Sequence, residues 1–230
     1  MNDITNLENT IGVEFKNNKL LQQALVHRSY LNENPSFELE HNERLEFLGD
    51  AILELAVTDY LYANYQNPEG ELTNWRAALV NSTSLAATSR EIGVEEFLYL
   101  SRGESKDANI KARNYILANA MEAIIGAVYL DQGYDVAEKF INTWIIAKLP
   151  DILEHKLYLD PKTAFQEAAQ EKTGITPTYH VIKENGPDHN KIFTIEVRLE
   201  NKPIAQGQGT SKQEAETAAA RAALKEKGWK

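Results

Sequence analysis

HNERLEFLGDAIL, residues 41–53, decides how most of this chain is read. On a helix Glu43, Glu46 and Asp50 stand at i, i+3 and i+7, so their carboxylates project from one side. Leu45, Leu48, Ile52 and Leu55 recur at i, i+3, i+7 and i+10, an apolar stripe expected to face a core. Stacked like charges cost roughly a few tenths of a kcal/mol each at a surface, so local stability does not favour the acidic row. Gly49, inside the helix, costs about 1 kcal/mol more relative to Ala, which points to a close approach to the backbone there. A solvated acidic face would fit the spacing equally well. Two features weigh against it. Glu46 and Asp50 lie beside Phe47, Leu48 and Gly49 rather than among Lys and Arg. In addition, a second helical stretch, ILANAMEAIIGAVYLD at 116–131, sets Glu122 among Met121, Ala123, Ile124 and Ile125, with Asn119 one turn earlier. A carboxylate in such surroundings is expensive to bury without a partner or a cation. Mg²⁺ suits the pattern, because it favours carboxylate oxygens, keeps several waters and completes its shell with phosphate.

Composition sets the frame. The chain has 230 residues, 43% of them hydrophobic and 25% charged, enough for two packed domains and unlike a disordered protein. It has no cysteine, hence neither a disulfide framework nor a thiolate metal site. The start, MNDITNLENTIGVEF, lacks a basic stretch followed by an apolar one, and no run approaches the roughly 20 apolar residues of a membrane span. A cytoplasmic protein without membrane partners is the expectation. The net charge of −10 is unevenly spread. Residues 160–230 carry 11 basic against 10 acidic side chains, net +1, which leaves −11 on residues 1–159. Such an acidic surplus suits phosphate only where metal ions stand between the two.

The grammar changes along the chain. Apolar periodicity predicts helices over 18–26, 40–64, 73–92, 111–131 and 134–148, with NPEG at 67–70 as a break. Pro150 to Pro161 has weak periodicity and is read as containing the linker. Beyond it, Lys162–Lys172 is helical and TPTYHVIKEN is a strand candidate. KIFTIEVRL alternates Phe193, Ile195, Val197 and Leu199 with polar residues, and KPIAQGQG is a third strand. NGPDHN at 185–190 reads as a hairpin loop. In SKQEAETAAARAALKEK, Ser211 is the N-cap, Glu214 completes a capping box, and Ala215, Ala219 and Ala222 offer a small-residue side. The expected architecture is an all-α domain over 1–150, a linker at 151–159 and a small α+β domain of α-β-β-β-α order over 160–230.

HNERLEFLGDAIL resembles the signature of the ribonuclease III family, and ILANAMEAIIGAVYLD is similar to that family's second acidic helix. LLQQALVHRSYLNE (20–33) and GELTNWRAALVNSTSLA (70–86) resemble further family segments in the same order. The resemblance implies a ribonuclease III-like helical bundle that hydrolyses double-stranded RNA. It implies Asp50 and Glu122 as catalytic residues, Glu46, Asp50, Asn119 and Glu122 as metal ligands, and Glu43 and Glu71 in support. The implied cofactor is Mg²⁺, with Mn²⁺ as a substitute, and the implied products carry a 5′ phosphate and a 3′ hydroxyl with short 3′ overhangs. A homodimer and processing of structured ribosomal and messenger precursors are further implications. Asn119 stands where the family usually has Asp, which removes one negative charge and should weaken metal binding. The alternative is therefore a double-stranded-RNA-binding protein of the same fold whose cleavage is weak or lost. His27 and His41 are assigned to local hydrogen bonding or packing rather than to general base catalysis.

DPKTAFQEAAQE, GPDHNK and GQGTSKQEAETAAARAAL resemble the three contact regions of the double-stranded-RNA-binding domain. Modules of that type read A-form RNA across its minor grooves and the phosphates between them. The resemblance places Gln166, Glu167 and His189 at minor grooves, and Lys212 at phosphate with help from a helix N-terminus. Gln213 and Glu216 stand where that family often has Lys or Arg, which predicts modest, salt-dependent affinity.

Overall fold

The middle of the helix Ile110–Gln132 is apolar on most sides and so must be surrounded: Leu117, Ala118, Ala120, Met121 and every residue from 123 to 128 are buried. Asn109 caps its start by accepting from the amides of Lys111 and Ala112. The computed structural model describes residues 3–187 and 191–229, in two units that divide after Tyr158. The first unit is helical: α1 (Ile4–Ile11), α2 (Asn18–Ala24), α3 (Arg28–Glu33), α4 (Glu43–Asn64), α5 (Glu69–Val80), α6 (Ser82–Glu91), α7 (Arg102–Lys106), α8 (Ile110–Gln132), α9 (Tyr134–Trp144) and α10 (Leu149–Glu154). Helices α2, α4, α6 and α9 pack around α8.

The pairing of α4 with α8 positions everything that follows. A Cβ built on Gly49 would stand 1.7 Å from the Glu122 carbonyl oxygen, and one on Gly126 would stand 2.3 Å from the Leu45 carbonyl oxygen. The two helices thus cross backbone to backbone, and what approaches Gly49 is α8 itself. That contact line centres the buried face of α4 on Leu45, Gly49, Ile52, Leu53 and Ala56. Leu55, expected in the apolar stripe, lies off this line and is 57% exposed. Asn42 anchors the start of α4: it is buried, its side-chain amide donates to the Ala24 carbonyl at 3.1 Å, and its N–H donates to Val26 at 2.9 Å.

Other departures have equally local causes. The stretch 73–92 is two helices, because Asn81 ends α5 through bonds from its Nδ2 to Ala77 and Ala78 and starts α6 by accepting from Ser84. Helix α1, unforeseen, buries Leu7 and Ile11. Residues 151–159, expected as a linker, contain most of α10, whose Leu149 and Ile152 are buried in the first core, while Tyr158 packs edge-on against Trp75. A helix of 6 residues is too short to show periodicity, so its docking is decided by two side chains.

The second unit runs α11 (Pro161–Thr173), β1 (Thr178–Asn185), β2 (Ile192–Leu199), β3 (Lys202–Gly209) and α12 (Lys212–Lys227). The strands form an antiparallel sheet in the order β1-β2-β3, with a register shift between Val181 and Lys183. Phe165, Ala169, Ile195, Val197, Leu199, Ala215, Ala219, Ala220 and Ala223 make its core. Ala222, expected on the small-residue side, is only partly buried, and Ala220 and Ala223 take the inner positions. A Cβ on Gly207 would meet the Ala219 amide at 2.1 Å and one on Gly209 the Ala215 amide at 2.5 Å, so α12 rests directly on β3. Ser211 caps α12 by accepting from Glu214, as the capping pattern predicts, while the Glu214 carboxylate accepts from Thr210. Among the described residues no helix is long and apolar enough to cross a membrane.

Candidate active site

The helix crossing brings two rows of polar side chains together. Glu122, whose carbonyl touches Gly49, is half-buried beside Asp50, Glu46 and Glu54, and its carboxyl is pushed up to about 8, first by burial and then by those charges. Glu46 is also raised, by burial and by Glu43 and Asp50, against the opposing effect of a hydrogen bond with Asn119. In that bond the Asn119 amide donates to the Glu46 carboxylate, which an Asp at the same place would repel. Glu46, Asp50, Asn119 and Glu122 are therefore neighbours.

Both ends of the acidic row are neutralised and its middle is not. Glu43 stands 3.3 Å from Arg28 and 3.7 Å from His41. Glu54 stands 2.9 Å from Arg76 of α5, which also donates to Thr58 at 2.9 Å. Among the described residues Glu46, Asp50 and Glu122 make no ion pair, and no three Asp, Glu or His side chains stand at metal-ligand spacing. Three carboxylates and an amide with no cation between them are nevertheless the donor set a hard divalent ion takes, and their mutual repulsion is what such an ion relieves. The residues fit Mg²⁺ by charge and donor type.

Glu71, expected in support, occupies the first turn of α5, where it accepts from Asn67 at 2.8 Å. The α5 side chain that does reach the acidic row is Arg76, by way of Glu54. Glu54, four residues after Asp50, continues the same row and is legible from spacing alone. His27 caps α3, its Nδ1 accepting from the Ser29 amide at 3.3 Å, whereas the buried Nδ1 of His41 has no hydrogen-bond partner among the described residues and stands 3.7 Å from Glu43. In the second unit Gln166 and Glu167 are exposed on α11, opposite Phe165, Ala168 and Ala169. His189 lies outside the described residues. Lys212 opens α12, 61% exposed, with its ammonium 5.7 Å from the Phe193 ring centre and 3.9 Å from Glu184. Glu216 is explained by its partner: it binds Lys162 at 2.5 Å and ties α12 to α11.

A carboxyl raised by folding makes stability depend on pH, and the sign follows from proton binding. Between its ordinary value of 4.5 and about 8 the folded Glu122 holds a proton that the unfolded chain has released, so stability falls as pH rises through that window. In chelator, Glu122→Gln should therefore gain on the natural chain from pH 5 to pH 8.5, by on the order of 1–2 kcal/mol after allowance for partial exposure. Parallel melting curves across that range would refute the placement of Glu122.

A helical unit with an acid-lined helix crossing is thus followed by a module of α-β-β-β-α order. Residues 17–149 match the Ribonuclease-III-like family model and residues 161–227 the double-stranded RNA binding motif. Ribonuclease 3 of Pelotomaculum thermopropionicum is 44% identical over 96% of this chain and 92% of its own length. Ribonuclease 3 of Streptococcus pneumoniae is 43% identical over 97% and 96%. The solved nuclease domain of ribonuclease III from Campylobacter jejuni, 37% identical, superposes with a TM-score of 0.57 over 64% of this chain and 99% of that one. The chain belongs to the ribonuclease III family and is an endoribonuclease of that type.

Proposed function

We propose that this chain is a Mg²⁺-dependent endoribonuclease that cuts double-stranded RNA into 5′-phosphate and 3′-hydroxyl products with short 3′ overhangs, in the processing of structured ribosomal and messenger precursors. The observation that carries the reading is the uncompensated group of Glu46, Asp50 and Glu122 where α4 crosses α8. With Asn119 these side chains would hold Mg²⁺, or Mn²⁺ in its place. Bound there, Mg²⁺ supplies activation of water and stabilisation of the departing 3′ oxygen. The chain's own part is to fix the donors. The Gly49–Gly126 contact sets the separation of the two rows, Arg28 and Arg76 neutralise their outer members, and Asn119 orients Glu46. The second unit adds affinity for A-form RNA through Gln166, Glu167, His189 and Lys212. A cytoplasmic homodimer, with one site for each RNA strand, completes the proposal.

Incubation with a long RNA duplex and Mg²⁺ tests it: discrete short products are expected, and a retarded but intact duplex would instead favour the binding protein that the loss of charge at Asn119 suggests. A finer test is Asn119→Asp. Restoring the charge should lower the half-saturating Mg²⁺ concentration by roughly fivefold to tenfold, about 1 kcal/mol in binding. An unchanged titration would mean that Asn119 has no part in holding the ion.

A further inference from the structure

The RNA-facing end of the second unit contains an acid that the phosphate reading leaves without a role. Glu184, near the end of β1, pairs in register with Phe193 of β2, and Phe193 pairs with Gly209 of β3. Because α12 begins directly over Gly209, its first residue, Lys212, is carried above the Phe193 ring and into reach of the same carboxylate. One oxygen of Glu184 stands 3.9 Å from the Lys212 ammonium and the other 3.7 Å from that of Lys191, the residue before β2.

We propose that Glu184 is an affinity-setting residue: its carboxylate occupies Lys212 and Lys191 in the free protein and competes with RNA phosphate for them. The inference rests on the RNA-binding reading of Lys212 given above. Three features favour competition over a structural tie. Both ammonium groups are at the outer limit of ion-pair distance, so the pairs are weakly held. Lys212 is 61% exposed and Glu184 43%, leaving both open to solvent and to a ligand. By contrast, Glu216 and Lys162 lie 2.5 Å apart with exposures of 27% and 36% and link two helices, the geometry of a pair that holds the module together. A carboxylate within a few ångströms of a phosphate-binding ammonium repels the incoming anion and must give up its counter-charge, two costs that act in the same direction.

The test uses the full-length chain in chelator, with a blunt RNA duplex of about 20 base pairs, longer than the ~16 such a module spans. Glu184→Gln is expected to lower Kd about threefold at low salt and to steepen the dependence of log Kd on log salt. Glu226→Gln, at the far end of α12, serves as the control for bulk charge and should change Kd little. In a Lys191→Gln, Lys212→Gln background the gain from Glu184→Gln should largely disappear. Glu184→Gln with natural affinity, or a gain undiminished in the lysine-free background, overturns the proposal while the RNA reading stands. A natural chain that leaves the duplex unshifted overturns the RNA reading, and this inference with it.

Discussion

Glu122→Gln should lower duplex cleavage in Mg²⁺ by more than a hundredfold while leaving retardation of the same duplex in chelator unchanged. Residues that merely orient metal ligands cost roughly 10- to 100-fold when removed, and a ligand itself should cost more. The amide keeps the size of the carboxyl and removes the charge that burial and Asp50, Glu46 and Glu54 already oppose, so the variant should fold at least as well as the natural chain at neutral pH. Loss of activity with a retained or raised Tm is the expected combination. Loss of both would point to a packing role for Glu122, and full activity would remove the acidic group from the chemistry.

The largest structural effect is expected at the crossing. Gly49→Ala or Gly126→Ala forces a methyl group to within 1.7 or 2.3 Å of a main-chain oxygen of the opposite helix, and backbone cannot rotate away as a side chain would. The helices must part, at a cost of about 3 kcal/mol or more. For a chain of this size that corresponds to a fall in Tm of roughly 6–12 °C. Gly70→Ala, with open space around its Cβ, is the control and should leave Tm within a few degrees. Cleavage should fall with separation of the rows even where the variant remains folded at the assay temperature. A Gly49→Ala protein with natural Tm would show that the two backbones are not in contact.

How much was legible in the sequence depends on how locally each feature is determined. The strand KPIAQGQG and the helix after Ser211 were read to within a residue, because alternation, Gly and the cap lie in consecutive positions. The acids of α4 and Glu122 were readable as odd residues in their surroundings, but nothing in one dimension brings residue 50 to residue 122. Gly49 announced a close approach without naming its partner, since the complementary Gly126 lies in a separate element. Asn42 resembles any loop polar residue until its bonds to Ala24 and Val26 are seen. Glu54 and Arg76 were missed for opposite reasons. Glu54 continued the row in plain view, whereas Arg76 matters only because α5 folds back beside α4. Helix α10 does not stand out from a linker in the sequence, because a short element with two anchoring side chains offers too few residues to count.

Where main chain meets main chain, as at Gly49 and Gly126, the gap is a sum of atomic radii and owes nothing to rotamers. The surrounding core of Leu45, Ile52, Met121 and Ile125 is therefore free to exchange one hydrophobic residue for another of similar volume without altering the width of the cleft. A pair of glycines acts here as a gauge, and the neighbouring residues are left room to drift over evolutionary time.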